Sequence, residues 1–183
     1  MFGPRKIDSL AALAPLAIAS DAVHGEIKRR AAERIAESDA QIVCVHGIDA
    51  GDAYALATQF ACGWAYRGGE ALLWRGAFHA HEVHDRYLPA PPARPFERRG
   101  LLEVLGAWHD APLALVAARF ADDRSSIREW RFARTALRRT CERAIFFADG
   151  LTERTLRVGV ADLGFATREA GPCAIYVRDV LPR

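Results

Sequence analysis

The stretch QIVCVHGIDAGDAYALATQF, residues 41–60, decides how the rest of the chain is read. Its first seven residues, 41–47, form a short apolar run rich in β-branched side chains, the mark of a buried strand. Gly47 and Gly51 bracket a turn that carries Asp49 and Asp52, and Leu56 and Phe60 beyond it share one helical face. Strand, turn and helix in that order is the unit of α/β sheets, and exposed helix N-terminal amides at such a turn attract anions. Gly47, Asp49, Gly51 and Asp52 are therefore the candidate ligand-binding residues of this turn.

Outward from the turn, the same alternation continues. Upstream, Val23, Ile27, Ala31 and Ile35 recur at helical spacing over 20–37. Downstream, the helix is expected to run through Gly63 or Trp64 to a Gly68-Gly69 stop, and 70–76 to form a second strand. Residues 88–100, LPAPPARPFERRG, are too rich in proline for regular structure and read as a surface loop. A helix at 101–111, a strand at 112–120, a helix over 124–143 and a strand at 144–150 follow. The tail holds two further strands, in TLRVGVADLGFA and PCAIYVRDV, paired as a hairpin or at a sheet edge. Strands alternating with helices predict a three-layer α/β fold: a mostly parallel, P-loop/Rossmann-like sheet with helices on both faces. The expected organisation is a single domain over 1–183, with a helical segment at 1–40, a βα core at 41–150 and terminal strands at 151–183.

Composition sets bounds on the partners. In 183 residues, 25 basic side chains face 23 acidic ones, a net charge of +2 that argues against nucleic acid or a membrane surface as the partner. Lys6 and Lys28 are the only lysines, so nearly all positive charge is arginine. Cys44, Cys62, Cys141 and Cys173 lie in separate apolar stretches with no CxxC pair, which reads as free thiols in a reducing compartment. The apolar run near the start is flanked by Asp8 and Asp21 and broken by Pro15, far short of the roughly 20 residues of a membrane span. A cytoplasmic location is expected.

The opening turn lacks the equipment of a triphosphate site. That site has the pattern G-x-x-x-x-G-K-[ST], with lysine on the β and γ phosphates and a hydroxyl on magnesium. After Gly47 stand Asp52, Ala53 and Tyr54, and a one-residue shift still leaves Asp52 in the lysine position, where an acid repels phosphate. GIDAG, EALLWRGAFH and DRY nevertheless occur in an order and spacing that resembles P-loop kinases of the uridine-kinase type. There, a G-x-D-x-x-G-K-T turn precedes a D-D-F-H segment and an R-Y. Ala77 stands where that family has an aspartate, so the resemblance implies a kinase site that has been lost. TQFACGWAY also resembles the G-T-A-F-E-x-G-Y-A-Y helix of nucleoside deoxyribosyltransferases, with Ala61 in place of the nucleophilic glutamate.

A second candidate site is FHAHEVHD. His79, His81 and His84, with Asp85 beside them, offer the H-x-H-x-x-H spacing that can surround one divalent ion, and Glu82 adds a further carboxylate. The spacing resembles the H-x-H-x-D-H of metallo-β-lactamase-fold hydrolases, with Val83 in the aspartate's place. A polar loop with solvated imidazoles is the competing reading. Along 124–143, Arg124, Arg128, Arg131 and Arg138 oppose a stripe of Ile127, Trp130, Leu137 and Cys141. Such forks suit phosphate or carboxylate, although a solvated helix face accounts for them as simply.

The sequence thus predicts a degenerate nucleotide-kinase-like protein, non-catalytic, acting as a binding or accessory subunit through a protein partner or a second copy of itself. The alternative is a metal-dependent hydrolase built on His79, His81, His84 and Asp85, with a divalent metal as its cofactor.

Overall fold

The computed structural model describes residues 10–18, 26–90, 99–121, 126–150, 159–169 and 173–179. The strands are β1 (Leu16–Ile18), β2 (Ile42–His46), β3 (Gly63–Arg67), β4 (Glu70–Trp74), β5 (Phe78–Tyr87), β6 (Gly100–Trp108), β7 (Ala111–Arg119), β8 (Arg143–Asp149), β9 (Ala166–Glu169) and β10 (Cys173–Asp179). The helices are α1 (Glu26–Ala36), α2 (Ala50–Gln59) and α3 (Ser126–Arg139). One sheet has the order β1-β2-β4-β3, the other β5-β6-β7-β8-β10-β9. Only β1–β2 and β7–β8 are parallel pairs; every other neighbouring pair is antiparallel.

Side-chain alternation explains the layering. Ile42, Cys44, Leu72, Leu102, Val104, Leu113, Leu115, Ile145, Phe147 and Ile175 face inward and fill the space between the sheets. The outward set of the larger sheet, including Val116 and Phe146, packs under Trp130, Ala133 and Leu137 of α3. The outward set of the smaller sheet, Val43, Val45, Ala71 and Leu73, packs under Ile27, Ala31 and Ile35 of α1 and Ala53 and Leu56 of α2. The result is four layers, helix–sheet–sheet–helix. Phe147 is fully buried in the middle, where truncation to alanine costs about 3–5 kcal/mol.

This overturns the expected three-layer, mostly parallel, P-loop/Rossmann-like architecture. Two segments read as helix are strands. The helix after the opening turn stops at Gln59, Ala61 adopts a positive φ of 51°, and 63–67 continues as β3. Gly68 and Gly69, read as a helix stop, are instead the two-residue loop of the β3–β4 hairpin, both at positive φ (55° and 92°). Residues 101–111, expected to be helical, carry Leu101, Leu102, Val104 and Leu105 in no clear period. They lie in β6, which is covered on both faces, so its apolar residues run together as a buried helix's would. His109 and Asp110, again at positive φ, turn it into β7.

Both nucleoside-enzyme resemblances fall with these elements. The strand–turn–helix order at 41–60 is present, but the next strands in the chain, β3 and β4, form an antiparallel hairpin, and β4 joins β2 antiparallel. TQFACGWAY spans the last two residues of α2, a turn over 60–62 and the start of β3, so it cannot be one face of a deoxyribosyltransferase helix. Other expectations survive: β7 and β8 lie within a residue of their predicted places, and β10 lies within PCAIYVRDV. TLRVGVADLGFA, expected to be a strand, is helical at 159–161 and turns at 162–164. The strand that pairs antiparallel with β10 at the sheet edge is β9, which begins only at its last residue, Ala166. Trp130 and Leu137 of α3 point inward, whereas Ile127 is exposed. Arg124 and residues 91–98 of the proline-rich connection lie outside the described residues. Among the described residues no helix is long and apolar enough to cross a membrane.

Candidate metal centre

The inward-facing rows change character at one end of the sandwich. Stepping two residues along each strand keeps a side chain on the same face, so the last inward position follows from the core. On β2 the row Ile42, Cys44 ends in His46; on β4, Leu72 is preceded by Glu70. On β7 the row ends in Arg119, on β8 in Asp149, and on β10 it begins with Cys173. Register brings them together: His46 lies opposite Glu70, Arg119 opposite Asp149, and Asp149 opposite Cys173. Five neighbouring strands thus end the apolar interior in ionisable groups.

Cys44, His46 and Glu70 form the innermost part and are wholly buried. The Cys44 sulfur is 3.5 Å from His46 Nε2, and Nδ1 of the same ring is hydrogen-bonded to Glu70 Oε2. One donor atom from each of the three lies within 4.8 Å of the others. Glu70 Oε1 is buried without a hydrogen-bond partner. Nearer solvent, Arg119 Nε is 3.4 Å from Asp149 Oδ2, with the arginine side chain 41% exposed and the aspartate 13%. Both act electrostatically on Glu70.

Burial pushes the Cys44 thiol up to about 11, with His46 only partly offsetting it. Burial likewise raises Glu70, against the pull of His46. For His46, burial opposes the charged ring, yet Cys44 and Glu70 raise its affinity for the proton well above the ordinary imidazole value. Cys44, His46 and Glu70 are in the order nucleophile, base and orienting acid, but a thiol so far up is protonated at neutral pH. An activated cysteine nucleophile needs the opposite shift. The arrangement therefore suits ligation, because a bound cation deprotonates a coordinating thiol outright.

The residues singled out from sequence are placed otherwise. Asp49 is the N-cap of α2: its Oδ1 accepts the Asp52 N–H at 2.8 Å, so an aspartate already occupies the anion position of that turn. Asp52 pairs with Lys28 at 3.1 Å, the Gly47 N–H donates to Gly69 O at 2.7 Å, and Gly51 lies in the first turn of α2. His79, His81, His84 and Asp85 all lie on β5 rather than in a loop. His79 and His81 are exposed, and a register shift falls between Ala80 and Glu82. His84 contacts Glu103 at 3.0 Å and Glu82 at 2.7 Å, while Asp85 pairs with Arg67 on β3 of the other sheet. His84 and Asp85 are consecutive strand residues and leave on opposite faces.

The centre formed by Cys44, His46 and Glu70 has one sequence signal. Cysteine and histidine at i and i+2 in the apolar run QIVCVHG share a face, and glutamate opens the otherwise apolar EALLW. Polar groups on the inward face of a buried strand need a reason. What joins the three is the β2–β4 register, which no local stretch of sequence encodes.

No family model matches the sequence, and no curated protein matches it. Solved structures do. The chain superposes on D. rerio TDP2 complexed with a single-strand DNA product at TM-score 0.68 and 13% identity, over 92% of this chain and 84% of that one. A mannosyl-6-phosphatase from Bacteroides thetaiotaomicron gives 0.65 at 13% identity, over 84% of this chain and 77% of that one. An endonuclease/exonuclease/phosphatase from Bacteroides vulgatus gives 0.67 at 13%, over 90% and 85%. These structures replace the kinase and deoxyribosyltransferase comparisons, and with them falls the reading of a degenerate kinase-like accessory subunit. At such identities the likeness establishes the fold, and this chain has the sandwich of the endonuclease/exonuclease/phosphatase structures.

Proposed function

We propose that the protein is a metal-dependent hydrolase of phosphate esters, working at the end of the sandwich where β2, β4, β7, β8 and β10 finish in ionisable residues. The observation that carries this is the gradient there, from a buried ligand set at Cys44, His46 and Glu70 to the solvent-facing pair Arg119 and Asp149. A metal ion would be held by Cys44, His46 and Glu70 and would supply Lewis-acid charge for a phosphoryl oxygen. Arg119 presents a guanidinium fork, which matches phosphate geometry and binds the ester's anionic oxygens. Asp149 holds that fork in place and is positioned to take the proton of an attacking water.

The fold supports the same class, since one structural neighbour is named a mannosyl-6-phosphatase and another was solved with a single-strand DNA product. The latter also weighs against setting nucleic acid aside on net charge alone, because local charge rather than the total meets the substrate. The test is turnover of p-nitrophenyl phosphate, bis(p-nitrophenyl) phosphate and a single-stranded oligonucleotide with zinc, manganese or magnesium. Turnover that drops at least ~100-fold in Arg119→Ala and in Asp149→Asn supports the reading. If no ester is cleaved with any of the three ions, or both variants keep full rate, the reading is wrong.

A further inference from the structure

We infer that Cys44, His46 and Glu70 form a high-affinity site for a borderline-soft divalent transition metal of the zinc class. The inference rests on the hydrolase reading only for the place of the centre, and deepens it by naming the metal.

The donor set decides the class. Magnesium and calcium take oxygen ligands, whereas thiolate and imidazole together select zinc and its neighbours. Catalytic zinc takes three protein ligands and keeps a fourth position open, with Zn–S near ~2.3 Å and Zn–N near ~2.0 Å. Three donors already lie within 4.8 Å of one another, so modest side-chain adjustment closes them around an ion. His46 Nδ1 and Glu70 Oε2 share one buried hydrogen, and the Cys44 sulfur stands 4.0 Å from the same nitrogen. A cation in place of that hydrogen is the third partner of all three.

A second observation points the same way. Glu70 is wholly buried, and its Oε1 has no hydrogen-bond partner. A buried, half-satisfied carboxylate costs free energy, and a cation beside it removes the cost. Such a site ties β2 to β4 beneath the Arg119–Asp149 pair of the other sheet. With all three donors buried, the ion is taken up as the chain folds.

Elemental analysis of the purified full-length protein tests this, followed by exchange of the native ion for cobalt(II) during refolding. The expected result is about one equivalent of zinc-class metal per chain and, with cobalt, an intense thiolate-to-cobalt charge-transfer band with tetrahedral visible bands. Cys44→Ser should abolish the charge-transfer band and Glu70→Gln should loosen the metal, both in protein that circular dichroism shows to be folded. A metal-free protein that takes up no cobalt, or a cobalt spectrum without sulfur charge transfer, overturns the inference. So does a full complement of metal in Cys44→Ser. Activity is not read here: a zinc-loaded protein that cleaves no ester keeps this site and loses the hydrolase, and an active protein without thiolate–metal bands does the reverse.

Discussion

His46 and Glu70 face each other across the β2–β4 pair and share a hydrogen bond in a part of the sandwich that no water reaches. Cross-strand partners on one face are the closest neighbours in an antiparallel sheet, so this pairing is built into the register. Everything nearby treats the pair as a unit: Cys44 sits two residues before His46, and Arg119 and Asp149 close the end above Glu70.

Register alone makes one test of the sheet contact. Gly100 N–H donates to Gly68 O at 3.2 Å, and a Cβ on Gly100 would stand 1.9 Å from the Arg67 carbonyl oxygen. Both contacts are backbone, so neither sheet yields cheaply. Gly100→Ala should destabilise the protein by about 2 kcal/mol or more, read as the shift of the urea midpoint. An unchanged midpoint would mean the hairpin loop does not abut β6.

Arg178 should prove indispensable to the seat of α3. Its guanidinium donates to Leu137 O and Thr140 O at the helix end and to Cys141 O, Glu142 O and Leu163 O beyond it, and lies 4.6 Å from the centre of the Phe165 ring. The cation satisfies carbonyls that the helix cannot. Arg178→Lys keeps the charge but not the fork, and should lose about 2–4 kcal/mol by chemical denaturation. A loss under ~0.5 kcal/mol would show that water satisfies those carbonyls instead.

The aspartate at the opening turn has a structural job with a modest cost. Asp49→Ala removes the acceptor of the Asp52 N–H and should cost about 1 kcal/mol, while Asp49→Ser should recover most of it. Phosphate should protect neither variant nor the parent against thermal unfolding. Phosphate-dependent stabilisation of the parent that vanishes in Asp49→Ala would contradict this assignment.

His84 carries a pH dependence of definite sign. Hydrogen bonds to Glu103 and then Glu82 raise its proton affinity above the ordinary imidazole value, against slight burial. A group whose proton is held more tightly in the folded state contributes stability below the unfolded value of 6.5 and loses it as pH rises through the folded value. The stability difference between the parent and His84→Gln should therefore shrink as pH climbs past 6.5. The His84 ring resonances should titrate above that point by NMR, and lower in Glu103→Gln. A His84 midpoint at or below 6.5 would contradict the contact.

Sequence patterning alone determined the strand at 42–46, the helix after it, the buried pair β7 and β8, and the inward stripe of Trp130 and Leu137. Each is a local signal: a short apolar run, a capped turn or a repeat of three and four residues. Tertiary structure alone decided the rest. LLEVLGAW is a strand because α3 and the smaller sheet cover its two faces, and a segment buried on both faces has no period to read. Gly68-Gly69 turns a hairpin because 63–67 finds β4 to pair with, not because a helix ends there. Cys44, His46 and Glu70 lie in two strands that the sequence marks as buried, but nothing in the sequence joins them into one set. Their meeting depends on antiparallel register and on which faces point inward, and those are set by the packing of two sheets rather than by any stretch of chain.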